Sequence, residues 1–263
     1  DSVALAQGGL LKNMDVPVPA KEMTINLKGK DALGKQELLV LNMLQTNDWK
    51  RPMYYAITVS PDQFVKLDPY FQQTGMAYQI VPMQTKNAVK AVNADKMFDN
   101  VMNKFKWGGV DKPGIYLDEN VMRMCKSYRM VLFGKLAATL IHEGKNDKAL
   151  QVLDKCMEVL PPENVPLDYS ALSIGEYYYT LGQKEKGHNI LKAIGDDSMR
   201  NLNWYFRLNP KQFASVADDL NTNLYVLQEI INITKDKDPE LMNQYKEEFD
   251  NFRMALSSLQ PKE

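Results

Sequence analysis

Residues 130–194 carry one pattern twice, and that repetition limits what the chain can fold into. With Met130 as the first position, Phe133, Leu136, Ala137 and Leu140 fall on one stripe of a helix. Gly144 follows at a turn, and Ala149, Leu153 and Cys156 form a facing stripe before Pro161. From Asp168 the same order returns as Ala171, Ile174, Gly175 and Tyr178, then Gly182, then Gly187, Leu191 and Ile194. The turns Glu143-Gly144-Lys145 and Leu181-Gly182-Gln183 correspond. A generic helical bundle would keep the apolar stripes but would not need small residues in step on both arms. Ala137 opposite Ala149, and Gly175 opposite Gly187, predict two close helix crossings.

This arrangement is similar to the tetratricopeptide plan, in which two antiparallel helices occupy about 34 residues. The two turn glycines lie 38 residues apart, and the link from Pro161 to Pro166 absorbs the excess as a longer loop. The repeats therefore span about residues 130–163 and 168–197. Stacked arrays need about three repeats and a cap to bury their end faces. Residues 198–259 are expected to supply a divergent third hairpin and a capping helix. They hold Trp204, Tyr205 and Phe206, then the helical patterns Gln212 to Thr234 and Pro239 to Leu259.

The first part of the chain reads differently. Met23 to Leu27 alternates like a strand, and Asp31 is placed to cap a helix from Ala32 to Gln45 with Leu33, Leu38, Leu41 and Leu44 on one face. Met53 to Val59 and Met76 to Val81 are β-rich runs bounded by prolines. A helix is predicted from Asp95 to Phe105, stopped by Gly108-Gly109, and Asp118 then caps a long helix reaching Glu143. The expected fold class is α+β, mainly α: a small α/β layer over residues 1–112, then a tetratricopeptide-like α-α superhelix over residues 113–263.

Composition removes several functions. Lys and Arg total 32 against 33 Asp and Glu, so no charge excess draws the chain to nucleic acid. No apolar run approaches the roughly 20 residues of a bilayer span. The sequence begins Asp1-Ser2-Val3 without an initiator Met, so an upstream signal or membrane region is expected to have preceded it. Cys125, Cys156, His142 and His188 show no zinc spacing, and the cysteines read as buried free thiols rather than a disulfide. No phosphate-cradling loop, nucleophile elbow or His-Glu-x-x-His is present, and Gly8-Gly9 is a turn. Asp118-Glu119 and Asp218-Asp219 read as helix starts or solvated faces. No catalytic residue, metal ligand or cofactor is therefore expected.

Two sets of residues are candidates for binding. Trp49, Lys50, Arg51 and Tyr54 place an indole, two cations and a phenol between a helix and a strand, a mixture able to stack on a sugar or hold a phosphate. The competing reading is packing, with Tyr55, Ile57 and Val59 alternating to one face and Trp49 closing over the preceding helix. The second set lies on the array's concave face. There the first helices present Val131, Gly134, Lys135, Ala138, Ile141 and His142, then Tyr169, Leu172, Ser173, Glu176, Tyr179 and Thr180. Tyr169, Glu176 and Tyr179 are its candidate partner contacts. This face lacks the cation and amide donors of a carboxylate clamp and is expected to be covered by a partner or by the α/β layer.

Asn47-Asp48-Trp49-Lys50-Arg51-Pro52-Met53-Tyr54-Tyr55-Ala56 is followed by Tyr70, Gly75-Met76-Ala77-Tyr78 and Ile80-Val81-Pro82. Together with the helical repeats and Leu202-Asn203-Trp204-Tyr205, this resembles the soluble tail of a Bacteroidetes family of polytopic membrane proteins of the GT-C glycosyltransferase type. Relatives of that family are protein O-mannosyltransferases. Their acting acidic residue lies in an early loop of the membrane domain, so no position of this chain inherits it. The resemblance implies an exported accessory domain at the periplasmic face of the inner membrane. Its partners would be an acceptor protein, glycan or glycoprotein, or its own membrane domain, and it would touch the membrane only through an upstream region. Asp1-Ser2-Val3 and Asp197-Ser198-Met199 also resemble the Bacteroidetes O-glycosylation acceptor pattern. The alternatives are a stand-alone tetratricopeptide scaffold in an envelope complex and a carbohydrate-binding module around Trp49.

Overall fold

The computed structural model describes residues 23–47, 49–84 and 91–259, so Asp1-Ser2-Val3, Gly8-Gly9 and Asp48 lie outside the described residues. Among the described residues the chain is mainly helical with one small antiparallel sheet. It divides into two units, one of residues 1–106 and 138–152, the other of residues 107–137 and 153–263.

In the first unit, α1 (Lys35–Asn47) starts later than Asp31 would place it. The Gly34 N–H donates to Glu37 Oε2 at 2.8 Å, the backward half of a capping box, and Lys30 pairs with the same carboxylate. Glu37 therefore turns inward with Val40, Leu41 and Leu44, whereas Leu38 is 53% exposed. Leu33 precedes the helix and does not set its phase. Met23 to Leu27 forms no strand: Met23, Ile25 and Leu27 pack on the core, but no ladder pairs them. The Tyr70 hydroxyl instead donates to the Thr24 carbonyl at 2.9 Å.

The sheet contains β1 (Tyr54–Ala56), β2 (Phe71–Gln73) and β3 (Ala77–Ile80) in the order β1-β3-β2. Tyr55 pairs with Tyr78, and Gln72 with Gln79. The core beneath is aromatic: Phe71 stacks on Tyr78 at 5.4 Å, and Phe64 meets Phe71 edge-on at 4.9 Å. The far edge of β2 is occupied, because Gln73 receives Asn93 N–H at 2.9 Å and donates to Ala91 at 2.6 Å. Asn93 then caps α2 (Ala94–Asp99), which ends in a π-helical turn, Asn100–Lys104.

In the second unit, Asp118 caps α3 (Glu119–Tyr128) by accepting from Asn120 N at 2.8 Å and Val121 N at 3.1 Å. The long helix expected there is not uniformly α-helical, since a π-helical stretch, Arg129–Gly134, separates α3 from α4 (Lys135–His142). Residues 138–152, which hold the end of α4 and the start of α5 (Asn146–Val159), belong to the first unit; the second resumes at 153 and continues through α6 (Leu172–Thr180), α7 (Lys184–Tyr205), the short α8 (Pro210–Ser215), α9 (Ala217–Thr234) and α10 (Pro239–Leu259).

The two turn glycines have the same geometry. Gly144 has φ +72° with Lys145 N bonded to Leu140 O and Gly144 N to Ile141 O; Gly182 has φ +76° with Gln183 N on Tyr178 O and Gly182 N on Tyr179 O. Both are Schellman caps, which place a left-handed residue just past the helix and satisfy its last carbonyls. The close approach of α6 and α7 is also present: a Cβ built on Gly187 would lie 3.0 Å from the Gly175 carbonyl oxygen. All the core positions assigned to the two repeats are buried. α7 runs through position 197 to Tyr205, so Ser198–Tyr205 completes this helix, and the following long antiparallel pair is α9 with α10.

Candidate functional site

In the first unit a cleft of about 560 Å³ opens beside the C-terminal turn of α1 and the start of β1. Met43, Thr46 and Asn47 line it from the helix, and Lys50, Arg51, Pro52, Met53 and Tyr54 from the segment that follows. The turn between them is held by one side chain: Asn47 Nδ2 donates to the Arg51 carbonyl at 2.6 Å, and its Oδ1 accepts the Arg51 N–H at 3.2 Å. Lys50 N also donates to Asn47 O at 2.9 Å. Trp49 lies within this turn in the left-handed region at φ +57°, a conformation that costs a non-glycine residue about 1 kcal/mol. Lys96 donates to the Tyr54 hydroxyl at 3.1 Å and to Gln79 Oε1 at 3.0 Å, fixing the phenol at the mouth.

Lys50, Arg51 and Tyr54 are thus brought together, but Trp49 is not with them. Its half-buried indole packs against the core cluster of Phe64, Leu67 and Phe71 and does not line the cleft. Exposed Leu38, Leu39 and Met43 extend an apolar strip along α1. Asn47 and Met43 were missed from sequence. An amide at a helix end four residues before a cation-Pro pair was the available sign.

The second candidate set lies in the other unit, and its members have different surroundings. Tyr169 is 49% exposed and Glu176 is half-buried, but Tyr179 is only 8% exposed and offers no free face. Its hydroxyl donates to Asp238. Gly134 and Leu172, assigned to the concave surface, are also buried.

Asp238 is the polar centre that sequence reading did not find. Its Oδ2 accepts from the Tyr179 hydroxyl at 2.7 Å and lies 2.8 Å from His188 Nδ1, while the carboxylate caps α10 at Leu241 N. A second buried polar group is Arg129. Its guanidinium donates to the carbonyls of Leu160, Val165 and Pro166, closing the inter-helix link around it. Neither arrangement presents a nucleophile. Cys125 and Cys156 are buried free thiols, and burial pushes the Cys156 thiol up to about 12. Among the described residues no group of three or more His, Cys, Asp or Glu is placed to hold a metal ion. No helix among them is long and apolar enough to cross a membrane.

Residues 1–98 match the family model TMEM260-associated domain 2. The matched stretch contains α1, the whole sheet and the cleft, and it stops before the helical hairpins. No curated protein and no solved structure matches the chain.

Proposed function

We propose that the chain is a non-catalytic accessory part of a membrane-embedded glycosyltransferase-like protein, and that it positions an acceptor protein or partner beside the enzyme. The observation that carries this reading is the match of residues 1–98 to the TMEM260-associated domain. It falls on the same stretch, Asn47 to Pro82, that resembles the soluble tail of the GT-C type family. In this reading the parent is a protein O-mannosyltransferase relative from Bacteroidetes, and the chain faces the periplasm.

The helical part is the support. Two Schellman turns and the Gly175–Gly187 approach favour tetratricopeptide-type hairpins, with α9 and α10 closing the array. Stacked helical hairpins form a stiff support in themselves. The first unit, with its open cleft, supplies the contact surface. The inward-packed Trp49 indole weighs against a carbohydrate module, which needs an exposed ring face.

The test is genetic and biochemical. The full reading frame is determined, and the envelope glycoproteins of a strain deleted for this region are compared with those of the parent strain. The expected result is an upstream multi-span region and loss of glycan from a subset of proteins. A reading frame with no such region overturns the proposal.

A further inference from the structure

Among the described residues the sheet is covered at one edge only. At β2 the backbone of residues 91–93 covers the edge, but no described residue pairs with the outer edge of β1. The register shows which groups are left. Ile57 N bonds to Met76 O and Ile80 N to Met53 O, and these flank the pairs Tyr54↔Gln79, Tyr55↔Tyr78 and Ala56↔Ala77. In an antiparallel ladder, residues bonded to the neighbour alternate with residues whose groups point away. Met53, Tyr55 and Ile57 therefore face β3, and Tyr54 and Ala56 face outward. The Ala56 carbonyl accepts Val59 N–H at 3.1 Å, which leaves Tyr54 N–H, Tyr54 C=O and Ala56 N–H for another chain.

This edge runs directly into the cleft, which Pro52, Met53 and Tyr54 line on the sheet side and Met43 and Asn47 on the helix side. Among the described residues the lining includes the cation of Arg51 and no acidic residue. The exposed Arg51 cation beside an open edge disfavours pairing with a second copy, which would bring like charges together, and favours a strand that carries a carboxylate. Asn47 holds the Arg51 backbone at both its N–H and its C=O, so the main chain that carries the cation is fixed before any ligand arrives.

We propose that the β1 edge and its cleft bind an extended, acidic peptide segment of a protein partner by strand addition. Tyr54 and Ala56 supply the backbone hydrogen bonds, Arg51 pairs with a carboxylate, and Met43 with Met53 receives an apolar side chain. This deepens the accessory reading and rests on it for the partner's class. The reading frame decides the accessory role, and the peptide experiment decides only this site.

The experiment uses the whole chain and a fluorescent ten-residue probe of Val, Thr and Glu in alternation. Three controls accompany it: the same probe with Lys for Glu, the probe N-methylated at alternate amides, and phosphatidylglycerol vesicles. The expected result is saturable binding of the acidic probe alone. Affinity should fall at least tenfold with N-methylation, with Arg51→Glu, or with Ala56→Pro, a substitution that removes an outward-facing N–H and no hydrogen bond of the sheet. A misfolded Ala56→Pro does not decide the matter, because Arg51→Glu lies on the exposed surface and keeps the sheet. Amide exchange gives an independent readout: Tyr54 and Ala56 should exchange rapidly in the free chain and slow on binding.

Absence of acidic-probe binding, equal binding of the Lys or N-methylated probe, or binding of vesicles alone overturns the proposal. Protection of the Tyr54 and Ala56 amides before any probe is added does the same, since another part of the chain then holds the edge.

Discussion

The Tyr179 hydroxyl donates to Asp238 Oδ2 at 2.7 Å, tying α6 to the residue that caps α10. The carboxylate is 2% exposed and shares the same oxygen with His188 Nδ1 at 2.8 Å. One buried anion thus joins three helices. A buried carboxylate persists only when enough donors replace its water.

Acid should loosen this joint. Burial raises the Asp238 carboxyl, but the bonds from His188, Tyr179 and the Leu241 amide, with the nearby Lys184 ammonium, outweigh it and hold the group below the usual carboxylate range. A pKa lower in the folded than in the unfolded chain gives stability that is full above the unfolded value, near ~3.9, and lost as pH falls through the folded value. Asp168 and Asp196 shift the same way, so the informative quantity is the difference between variant and parent. Asp238→Asn should lower the Tm at neutral pH and lose less of it on acidification. Parallel acid dependence in the two proteins would contradict this account.

The α6–α7 crossing gives a second expectation. A Cβ on Gly187 would lie 2.7 Å from Tyr179 Cδ2 and 3.0 Å from the Gly175 carbonyl oxygen. Alanine adds up to about 1 kcal/mol of helix propensity, but overpacking costs about 1–3 kcal/mol, so Gly187→Ala should be destabilising. Gly144→Ala meets no atom within 4 Å and pays only for its φ of +72°, about 1 kcal/mol. Urea unfolding of the two variants separates a steric clash from backbone strain.

These examples mark what was legible in the sequence. The paired small residues and turn glycines could be read because a close crossing and a Schellman cap each demand a particular residue at a fixed position. Lys50, Arg51 and Tyr54 were legible as a cluster because they are neighbours in the chain, whereas Trp49 turns away through a left-handed backbone that no periodicity announces. Leu38 was assigned inward because Leu33 was counted in the helix, and the Gly34–Glu37 cap moves that start. Met23, Ile25 and Leu27 do alternate into the core, but alternation records burial and not pairing. Asp238 could not be read, since its partners lie 50 and 59 residues away.

Arg129 should be intolerant of Lys. Its planar fork reaches the carbonyls of Leu160, Val165 and Pro166 together, and the residue is fully buried. A single ammonium cannot take three acceptors spread along a loop in the same way. Arg129→Lys and Arg129→Met should both lose on the order of 3 kcal/mol, with faster proteolysis of residues 160–167. Full stability of the Lys variant would show that charge alone suffices.

The thiols should be silent until the fold opens. Cys156 is raised chiefly by burial, against a smaller lowering effect of Arg129, and Cys125 is raised for the same reason. The thiolate is the reacting species. A maleimide at mildly alkaline pH should label neither cysteine in the native chain and both in urea. Rapid labelling of either under native conditions would place that thiol at the surface.

Trp49 offers a comparison in which glycine should outperform alanine. The indole packs on the core formed by Phe64, Leu67 and Phe71, so either substitution loses that contact, at about 2–3 kcal/mol. The backbone at φ +57° is the other half of the balance. Alanine keeps a Cβ that disfavours this region by about 1 kcal/mol, while glycine adopts it freely. Trp49→Gly should therefore unfold at higher urea than Trp49→Ala, the reverse of the order expected within a helix or strand. If alanine proves the more stable, the turn that carries Lys50 and Arg51 into the cleft is not held in the left-handed conformation, and the placement of both cations changes with it.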